Sequence, residues 1–483
     1  MAAGSVPLLL PRINDKYLEF KRYLNWLLAL MDRRVNAEIV NAMPFEVTID
    51  PSTVCQLSCP YCSVGAGTIS RDQGVLRPNI HRQMLCGLSD SLFFIWYFST
   101  GEPLLNRFLP EIIASTRGKE VYSIISTNLS LKLSDERIEE ILSCGLGCIS
   151  ISIDGASAET YSRYRVGGDF DLVMHNLRRL VERKRALGLE FPYIEWRFLV
   201  FRHNTHEVTR ARELATKIGV DLLEFHYGNA PPDAVDHEVQ RADPMDLNPV
   251  VSGPAIERAV NKTPTSLMMA MQSGKSKILS KTPSIVMNSE LRQKCDWLYF
   301  GSTLFPNGSV GPCCLSNEEP DDFGKLSSDI EFKDIWNNAL YREARSLWIN
   351  KNWNKTERVC ARCPDSNSQD YQFRTTLQAL LRNAPDWVLK VIMADPELFF
   401  FDLDKKLSPV EFDALSYSGN FLKENFAQEG QWLADKLNQE KPEVAERIQW
   451  MQQSLALPNH RPELNRLGSR LSHYAKRLIT RFY

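Results

Sequence analysis

Strand-like and helix-like segments alternate six times along residues 45–230 of this chain. The strand-like segments are short and rich in β-branched and aromatic residues. The segments between them have apolar residues at helical spacing, most clearly Ser134–Leu142 and Leu172–Leu187. The predicted strands are Phe45–Ile49, Phe93–Phe98, Tyr122–Ser126, Cys148–Ile153, Trp196–Phe201 and Leu222–Phe225. This alternation predicts βαβ units and a parallel sheet. Because no glycine-rich nucleotide-binding fingerprint accompanies it, we predict an α/β fold built on a partial (β/α)6 TIM-like barrel.

The flanking regions differ from the barrel in composition. Tyr17–Val40 contains no Gly or Pro and has helical spacing, whereas residues 228–290 are rich in Pro, Asp, Asn and Ser. Leu304–Val310 is predicted to be a hairpin with a type I′ turn at Asn307-Gly308. The predicted divisions are an N-terminal helical segment (1–42), the barrel (43–230), a linker with short helices (231–290), a small cysteine-rich α+β module (291–370) and a helical C-terminal tail (371–483).

Charge and hydropathy exclude several classes of protein. The chain has 483 residues and a formal net charge of −2, and 43% of its residues are hydrophobic. This balance is typical of a globular protein and argues against a surface that binds nucleic acid, so we predict no nucleic-acid partner. Because no run of about 18 apolar residues occurs, we predict no transmembrane segment. The N-terminal residues lack the basic start of a signal peptide, and we therefore expect a cytoplasmic protein.

Eleven cysteines, an odd number, do not suggest a disulfide framework in such a chain. Three of them, Cys55, Cys59 and Cys62, follow the first predicted strand with C-x3-C-x2-C spacing. Three thiolates can hold three irons of a [4Fe–4S] cube and leave the fourth iron open to a ligand that is not protein. The alternatives are buried cysteines without a ligand, or part of a zinc knuckle.

A second group of cysteines lies between residues 295 and 363. It comprises Cys295, the adjacent pair Cys313-Cys314, and Cys360 with Cys363. These five cysteines can supply four ligands and leave one cysteine uncoordinated. The spacing alone permits either an iron–sulfur cluster or a structural zinc site with four cysteines. Adjacent residues on a strand point to opposite sides, so only one of Cys313 and Cys314 is expected to be a ligand.

Four motifs in chain order resemble those of the radical S-adenosylmethionine (radical SAM) family. They are the cysteine motif with Tyr61 before Cys62, then Thr100-Gly101-Glu102-Pro103, Ser126-Thr127-Asn128 and Ser152-Ile153-Asp154-Gly155. The resemblance covers about residues 45–230, and Thr100 stands where the family has glycine. The later module, with Pro306-Asn307-Gly308 and Gly311-Pro312-Cys313-Cys314, resembles the SPASM/twitch extension of that family.

The resemblance implies three cofactors: a SAM-binding [4Fe–4S] cluster, SAM, and one auxiliary [4Fe–4S] cluster. It implies that Cys55, Cys59 and Cys62 bind the first cluster, and that Cys295, Cys313, Cys360 and Cys363 bind the second, with Cys314 able to exchange roles with Cys313. For SAM it implies Glu102 and the backbone near Gly101 at the ammonium, Arg165 at the carboxylate, Tyr61 at the adenine, and Ser126, Asn128, Ser152 and Asp154 at the ribose. The residues alone permit a simpler interpretation, in which Asp154 caps a helix and Arg165 forms a surface ion pair.

The implied activity is reductive cleavage of SAM to a 5′-deoxyadenosyl radical, which abstracts hydrogen from an unactivated C–H bond. We favour a peptide or protein-type substrate, with oxidation, crosslinking or epimerisation as the outcome, and an electron donor such as flavodoxin or ferredoxin. Cys314 is a candidate hydrogen-atom donor. The alternatives are a small-molecule substrate, through oxidation or epimerisation of a sugar or aminocyclitol-like metabolite, and a non-catalytic iron–sulfur or zinc-binding protein.

The end of the chain carries a basic amphipathic stretch. Residues 461–483 contain six Lys and Arg against one Glu, with leucines and aromatic residues at helical spacing. Such a helix either contacts an anionic surface or packs on its parent domain.

Overall fold

The computed structural model of the protein describes residues 10–34, 37–228, 239–253, 295–316, 318–350 and 358–363, with isolated residues between 376 and 388. The chain divides into two compact units. One comprises Met1–Trp26 and Met43–Asn383, and the other comprises Leu27–Ala42 and Ala384–Tyr483. Both cysteine groups and every strand described lie in the first unit.

Six parallel strands follow one another across the sheet in chain order, as the alternating pattern predicts. They are β1 (Glu46–Ile49), β2 (Phe94–Tyr97), β3 (Tyr122–Thr127), β4 (Cys148–Ser152), β5 (Tyr193–Val200) and β6 (Leu222–Tyr227). The predicted ends agree with these to within three residues, and the parallel sheet with its helices confirms the predicted α/β partial-barrel class. A short strand, β7 (Val250–Val251), pairs antiparallel with β6 in the part of the predicted linker that is described.

Helices connect the parallel strands, and several begin at a side chain that caps the first turn. Ser134, Ser157 and Asp169 each accept a hydrogen bond from the backbone N–H three residues later. The helices are α1 (Lys16–Arg34), α2 (Pro78–Leu85), α3 (Leu109–Ala114), α4 (Asp135–Ser143), α5 (Ala158–Tyr164), α6 (Phe170–Ala186), α7 (Val208–Ile218), α8 (Trp297–Phe300), α9 (Phe332–Trp336), α10 (Ala339–Asn350) and α11 (Val359–Arg362).

The two faces of the sheet differ in polarity, because side chains alternate along each strand. One face is apolar and at most 1% exposed at Ile49, Ile95, Ile125, Ile151, Trp196 and Phe198. The opposite face carries Ser126, Ser150, Ser152, Glu195, Arg197, Glu224 and His226. In a barrel of this kind the second face lines the interior. Cys148 and Ser152 share it, as their spacing on the strand predicts.

The cysteine-rich module extends the same sheet. Its strands are β8 (Thr303–Leu304), β9 (Ser309–Gly311) and β10 (Gly324–Lys325), and β8 pairs in parallel with β1. A buried ion pair joins the loop after β1 to the module, since Arg71 Nη2 lies 2.5 Å from Asp322 Oδ1. The guanidinium of Arg71 also stacks on Phe305, 3.4 Å from the ring centre. The module is therefore packed against the edge of the barrel at β1.

The hairpin between β8 and β9 is present, but its turn differs from the predicted type I′. Gly308 N donates to Phe305 O at 2.9 Å, which makes Pro306 and Asn307 the central residues. A type I′ turn needs a positive φ at both central residues, and the ring of proline fixes its φ at a negative value. Gly308 alone has positive φ here, at 87°, as in a turn followed by a glycine bulge.

The first helix ends earlier than the predicted Val40. It stops at Arg34, and the carboxylate of Asp32 accepts hydrogen bonds from the backbone N–H groups of Asn41 and Ala42. These bonds turn the chain back on itself, so the helix does not continue. The predicted helical tail lies almost wholly outside the described residues, and the basic stretch 461–483 lies entirely outside them. Among the helices that the structure describes, none is both long and apolar enough to cross a membrane.

Candidate active site

The first cysteine group forms a tight loop after the carboxyl end of β1. Cys62 N donates to Cys59 O at 3.2 Å, and the chain returns so closely at Gly65 that a Cβ there would lie 2.5 Å from Cys59 N. Cys59 is 5% exposed, while Cys55 and Cys62 are half-buried. The loop thus gathers three thiols at the end of the sheet where barrel active sites lie.

The thiols of this loop suit a cationic cluster. Burial raises the pKa of Cys55 to about 11, and the negative charges of Glu102, Cys59 and Cys62 add to the rise. Burial also raises the pKa of Cys59, although the guanidinium of Arg165 offsets part of it. Burial and the charges of the neighbouring thiolates make bare thiolates costly in this loop, and they become favourable ligands once iron supplies positive charge. The donor set fits three irons of a [4Fe–4S] cluster.

Asn128 supports the loop from β3. Its Nδ2 lies 3.6 Å from Cys55 Sγ, and its Oδ1 accepts from Gln56 Nε2 at 2.8 Å and from Ser130 N at 2.9 Å. These bonds position Cys55, and the ribose contact of Asn128 stays a prediction. Gln56 was not predicted, and its place inside the cysteine motif was the available signal.

Glu102 is buried and joins β2 to β3. Its Oε1 accepts from Thr127 Oγ1 at 2.6 Å and from Leu104 N at 3.0 Å, and its Oε2 accepts from Asn128 N at 2.7 Å. Burial raises the pKa of the Glu102 carboxyl, and these hydrogen bonds offset part of that rise. A carboxylate can accept about four hydrogen bonds, so three internal donors leave room for one more.

Gly101 and Thr100 contact the chain that follows β1, at residues 50–54. A Cβ on Gly101 would lie 2.2 Å from Ser52 O, and Glu102 N donates to Val54 O at 2.8 Å. Thr100 Oγ1 donates to Asp50 Oδ2 at 2.5 Å. Burial raises the pKa of Asp50 to about 6 despite that bond. The threonine that replaces the family's glycine therefore gives a buried carboxyl a partner.

Gly101→Ala should therefore destabilise the protein and reduce iron loading. We expect the free energy of unfolding to fall by about 2–3 kcal/mol, since the clash is with backbone that cannot move freely. Gly74→Ala is the matched control, because nothing lies within 4 Å of its Cβ position. We expect a change of at most about 0.5 kcal/mol there. Urea titrations of both variants measure the difference, and equal effects would contradict the packing argument.

Arg165 and Asp154 form a buried ion pair beside the cysteine loop. Arg165 Nε lies 2.6 Å from Asp154 Oδ2, and Asp154 Oδ1 accepts from Leu199 N at 2.7 Å. Asp154 is fully buried and Arg165 is 15% exposed. These two bonds hold Arg165 in place, and the ribose contact of Asp154 stays a prediction. The interpretation of Arg165 as a surface ion pair does not fit this burial.

The remaining predicted SAM contacts lie at the same end of the sheet. Tyr61 packs against Tyr164 with ring centres 6.2 Å apart, and Tyr164 packs against Phe201 at 4.6 Å. Ser126 and Ser152 are half-buried on the polar face, near the carboxyl ends of β3 and β4. The structure thus brings an aromatic ring and two hydroxyls to the neighbourhood of the cysteine loop.

The second cysteine group lines one cavity. The cavity is enclosed by four thiols and four apolar residues, namely Cys295, Cys313, Cys360, Cys363, Leu298, Pro312, Trp348 and Val359. Burial raises the pKa of Cys295 to about 12, and it raises the pKa values of Cys313 and Cys360 well above their usual value. Cys314 is exposed and does not line the cavity. The geometry therefore favours Cys313 over Cys314 as the fourth ligand.

One polar cluster was not predicted from the sequence. Glu195 and Arg197 on β5 face Glu224 and His226 on β6, and an oxygen of each glutamate and a ring nitrogen of His226 all lie within 4.8 Å of one another. Alternating charged residues within two otherwise apolar strands were the signal that could have revealed it.

Comparison with known proteins identifies the two cysteine regions. The model of the radical SAM superfamily matches residues 49–189, and the model of the SPASM iron-sulfur cluster-binding domain matches residues 295–364. The PqqA peptide cyclase of Rhodopseudomonas palustris is 25% identical over 391 residues, which is 80% of this chain and 95% of that protein. The AdoMet-dependent heme synthase of Methanosarcina barkeri is 28% identical over 198 residues, 41% of this chain and only 54% of that protein. The structure of Streptococcus suis SuiB bound to its precursor peptide SuiA has a TM-score of 0.44 and 13% identity, covering 76% of each chain.

The two family-model matches contain the two groups of thiols in the same chain order. The radical SAM domain binds a [4Fe–4S] cluster and SAM, and the SPASM domain binds auxiliary iron–sulfur clusters, which disfavours the zinc alternatives. The chain therefore carries a radical SAM domain followed by a SPASM-type iron–sulfur domain.

Proposed function

We propose that the protein modifies an unactivated C–H bond of a peptide or protein-type substrate. The observation that carries the proposal is that the loop of three thiols follows β1, while the module with the four-thiol cavity extends the same sheet by pairing β8 with β1. The PqqA peptide cyclase is similar over 80% of this chain, which includes both iron–sulfur regions, and it supports the peptide class. The cytoplasmic location inferred from the sequence remains part of the same proposal.

When bound and reduced, the first cluster cleaves SAM to a 5′-deoxyadenosyl radical that abstracts hydrogen from the substrate. The protein's part is binding and orientation. Cys55, Cys59 and Cys62 hold three irons, and Arg165 presents a planar fork of donors to the SAM carboxylate. The remaining acceptor capacity of Glu102 suits the SAM ammonium.

The proposal also includes the contacts to the adenine and ribose of SAM, the auxiliary cluster and the electron donor. Tyr61 packs against the adenine, and Ser126 and Ser152 face the ribose hydroxyls. Cys295, Cys313, Cys360 and Cys363 hold a single auxiliary [4Fe–4S] cluster, since four thiols line one cavity. A small electron carrier such as flavodoxin or ferredoxin supplies the reducing electron.

Asp154→Asn tests whether the ion pair positions Arg165 for SAM. Loss of a charge-assisted hydrogen bond costs about 1.5–3 kcal/mol, and we expect the Kd for SAM to rise about tenfold. Equilibrium dialysis of labelled SAM against the unreduced protein with its clusters measures it. Asp135→Asn is the control, because Asp135 pairs with Arg179 at 2.6 Å but is 85% exposed. An unchanged Kd in Asp154→Asn, with a raised Kd in Arg165→Ala, would show that Arg165 is held by other contacts.

The substrate class is tested by transfer of deuterium. The reduced protein is incubated with SAM and synthetic peptides deuterated at the α and β carbons, and 5′-deoxyadenosine is examined by mass spectrometry. We expect deuterium in 5′-deoxyadenosine and a changed peptide mass, and neither with the Cys59→Ala variant. Transfer only from labelled sugars or aminocyclitols would replace the peptide proposal with the metabolite alternative. Absence of 5′-deoxyadenosine under every reducing condition would contradict radical catalysis.

A further inference from the structure

One buried arginine links the loop after β1 to the cysteine-rich module. The side chain of Arg71 is 2% exposed, and it bonds both carboxylate oxygens of Asp322, with Nη2–Oδ1 and Nη1–Oδ2 distances of 2.5 and 3.1 Å. Its Nε and Nη2 donate to Ser316 O at 3.0 and 2.9 Å, and Nη2 also donates to Glu318 O at 3.1 Å. The guanidinium stacks on Phe305 as well. Arg71 therefore holds one short segment of the module at three points.

The backbone beside Arg71 is tied to the start of the loop of three thiols. Thr53 Oγ1 donates to Asp72 O at 2.9 Å and accepts from Gly74 N at 2.8 Å. Thr53 N donates to Gly74 O at 3.0 Å. Thr53 is buried, and it stands two residues before Cys55. The same stretch of chain that leads into the loop of three thiols thus fixes the position of Arg71.

The segment held in this way contacts the second group of thiols at two places. At its start, Ser316 N donates to Cys313 O at 3.2 Å. Near its end, Asp321 Oδ1 accepts from Val359 N at 2.8 Å, and Val359 directly precedes Cys360. A movement of this segment would therefore move two of the four thiols that line the cavity.

The pairing of β8 with β1 attaches the module to the barrel at a different point. It involves Thr303 and Leu304, which come before Cys313 in the chain, whereas Arg71 holds residues that come after it. A guanidinium suits this second attachment, because it bonds a carboxylate through two parallel bonds, donates to carbonyl groups and stacks on an aromatic ring. The ammonium of a lysine offers neither the planar fork nor the stacking face.

We propose that Arg71 is a positioning residue that fixes Cys313 and Cys360, and with them the auxiliary cluster, relative to the loop of three thiols. The proposal rests on the proposed function, because it takes the four-thiol cavity as the site of the auxiliary cluster. Arg71 acts through the segment from Ser316 to Asp322 and touches neither cluster. Without Arg71 this segment opens more readily, so the auxiliary cluster is held less firmly while the first cluster is unaffected.

Release of iron to a ferrous chelator measures how firmly each cluster is held. Arg71→Met is prepared with both clusters, and iron release is followed anaerobically without SAM or substrate. We expect about four irons per chain to leave about tenfold faster than in the unchanged protein, because opening of the segment no longer breaks charged hydrogen bonds. The remaining iron should leave at the unchanged rate. Arg77→Met is the matched control, since Arg77 lies on the same loop and stacks on Phe108 but is exposed.

The electron paramagnetic resonance spectrum of the reduced auxiliary cluster separates positioning from general stability. It is recorded in protein whose three loop thiols are replaced by alanine, so that the auxiliary cluster alone contributes. We expect Arg71→Met to shift and broaden the spectrum, Arg71→Lys to have a smaller effect, and Arg77→Met to have none. Arg71→Met combined with Asp322→Asn leaves no uncompensated buried carboxylate, so it stays folded and should show the same broadening.

Three outcomes would overturn the proposal. They are an unchanged rate of iron release and an unchanged spectrum in folded Arg71→Met, an equal acceleration for both clusters, which would indicate general destabilisation, and the same acceleration in Arg77→Met. Because these measurements need no substrate, the role of Arg71 can fail while deuterium transfer from peptides succeeds. It can equally be supported while deuterium transfer fails, so the two proposals are tested separately.

Discussion

Replacing Cys55, Cys59 and Cys62 together by alanine should abolish SAM cleavage and remove about half of the bound iron. Two [4Fe–4S] clusters correspond to about eight irons per chain, and the variant should retain about four. The three thiols lie on one loop closed by Gly65, and the second group of thiols lies in a different cavity. Loss of the first cluster should therefore leave the second in place. Anaerobic iron and sulfide analysis and a reductant-dependent 5′-deoxyadenosine assay measure the two effects.

The control for this variant is Cys86→Ala, because Cys86 is exposed and lies outside both groups. It should retain all its iron and full SAM cleavage. If the triple variant kept all its iron, or lost both clusters while remaining folded, the assignment of separate clusters to the two groups would be wrong. Circular dichroism distinguishes that result from general unfolding.

The barrel strands were predictable because local chemistry and tertiary packing agree there. The β4 segment alternates Ile149 and Ile151 with small residues, and this period places both isoleucines on the buried face. The start of β5 was missed by three residues, because Glu195 interrupts the apolar run before Trp196. Glu195 lies on the interior face, so it belongs to the strand and not to the loop before it.

Other features depend on contacts between residues distant in sequence. The parallel pairing of β8 with β1 joins segments about 250 residues apart, and nothing in either short strand indicates the partner. Likewise, Asp32 ends the first helix by accepting hydrogen bonds from Asn41 and Ala42, which helical periodicity does not reveal. Periodicity reports one element at a time, whereas these contacts are made between elements.

In the candidate site, too, local sequence features were predictable and contacts between distant residues were not. The thiol groups were recognised because ligand spacing is a local property. The internal hydrogen-bond partners of the predicted SAM contacts were not recognised, and they give two of those residues a positioning role that the sequence did not indicate. Asp154 holds Arg165, and Asn128 holds Cys55. A polar side chain at a strand end can therefore position a neighbouring residue, and that role is visible only in its hydrogen-bond partners.

Cys360→Ala should remove the auxiliary cluster, whereas Cys314→Ala should not. Cys360 is one of four buried thiols around a single cavity, and its loss leaves three ligands for a cluster that takes four. We expect iron to fall by about four per chain. We also expect a lower unfolding midpoint, because cluster binding contributes to the stability of a small module. Iron analysis, the visible absorbance of the clusters and urea titration measure these effects.

Cys314 is the matched control because it lies one residue from a ligand but is exposed and outside the cavity. Loss of iron in Cys314→Ala, with retention in Cys313→Ala, would exchange the roles of the two cysteines. The same variant tests the predicted role of Cys314 as a hydrogen-atom donor. If Cys314→Ala abstracts hydrogen and still forms full product, Cys314 does not return hydrogen to the substrate. If product formation stops after hydrogen abstraction while iron is retained, its exposed thiol completes the reaction.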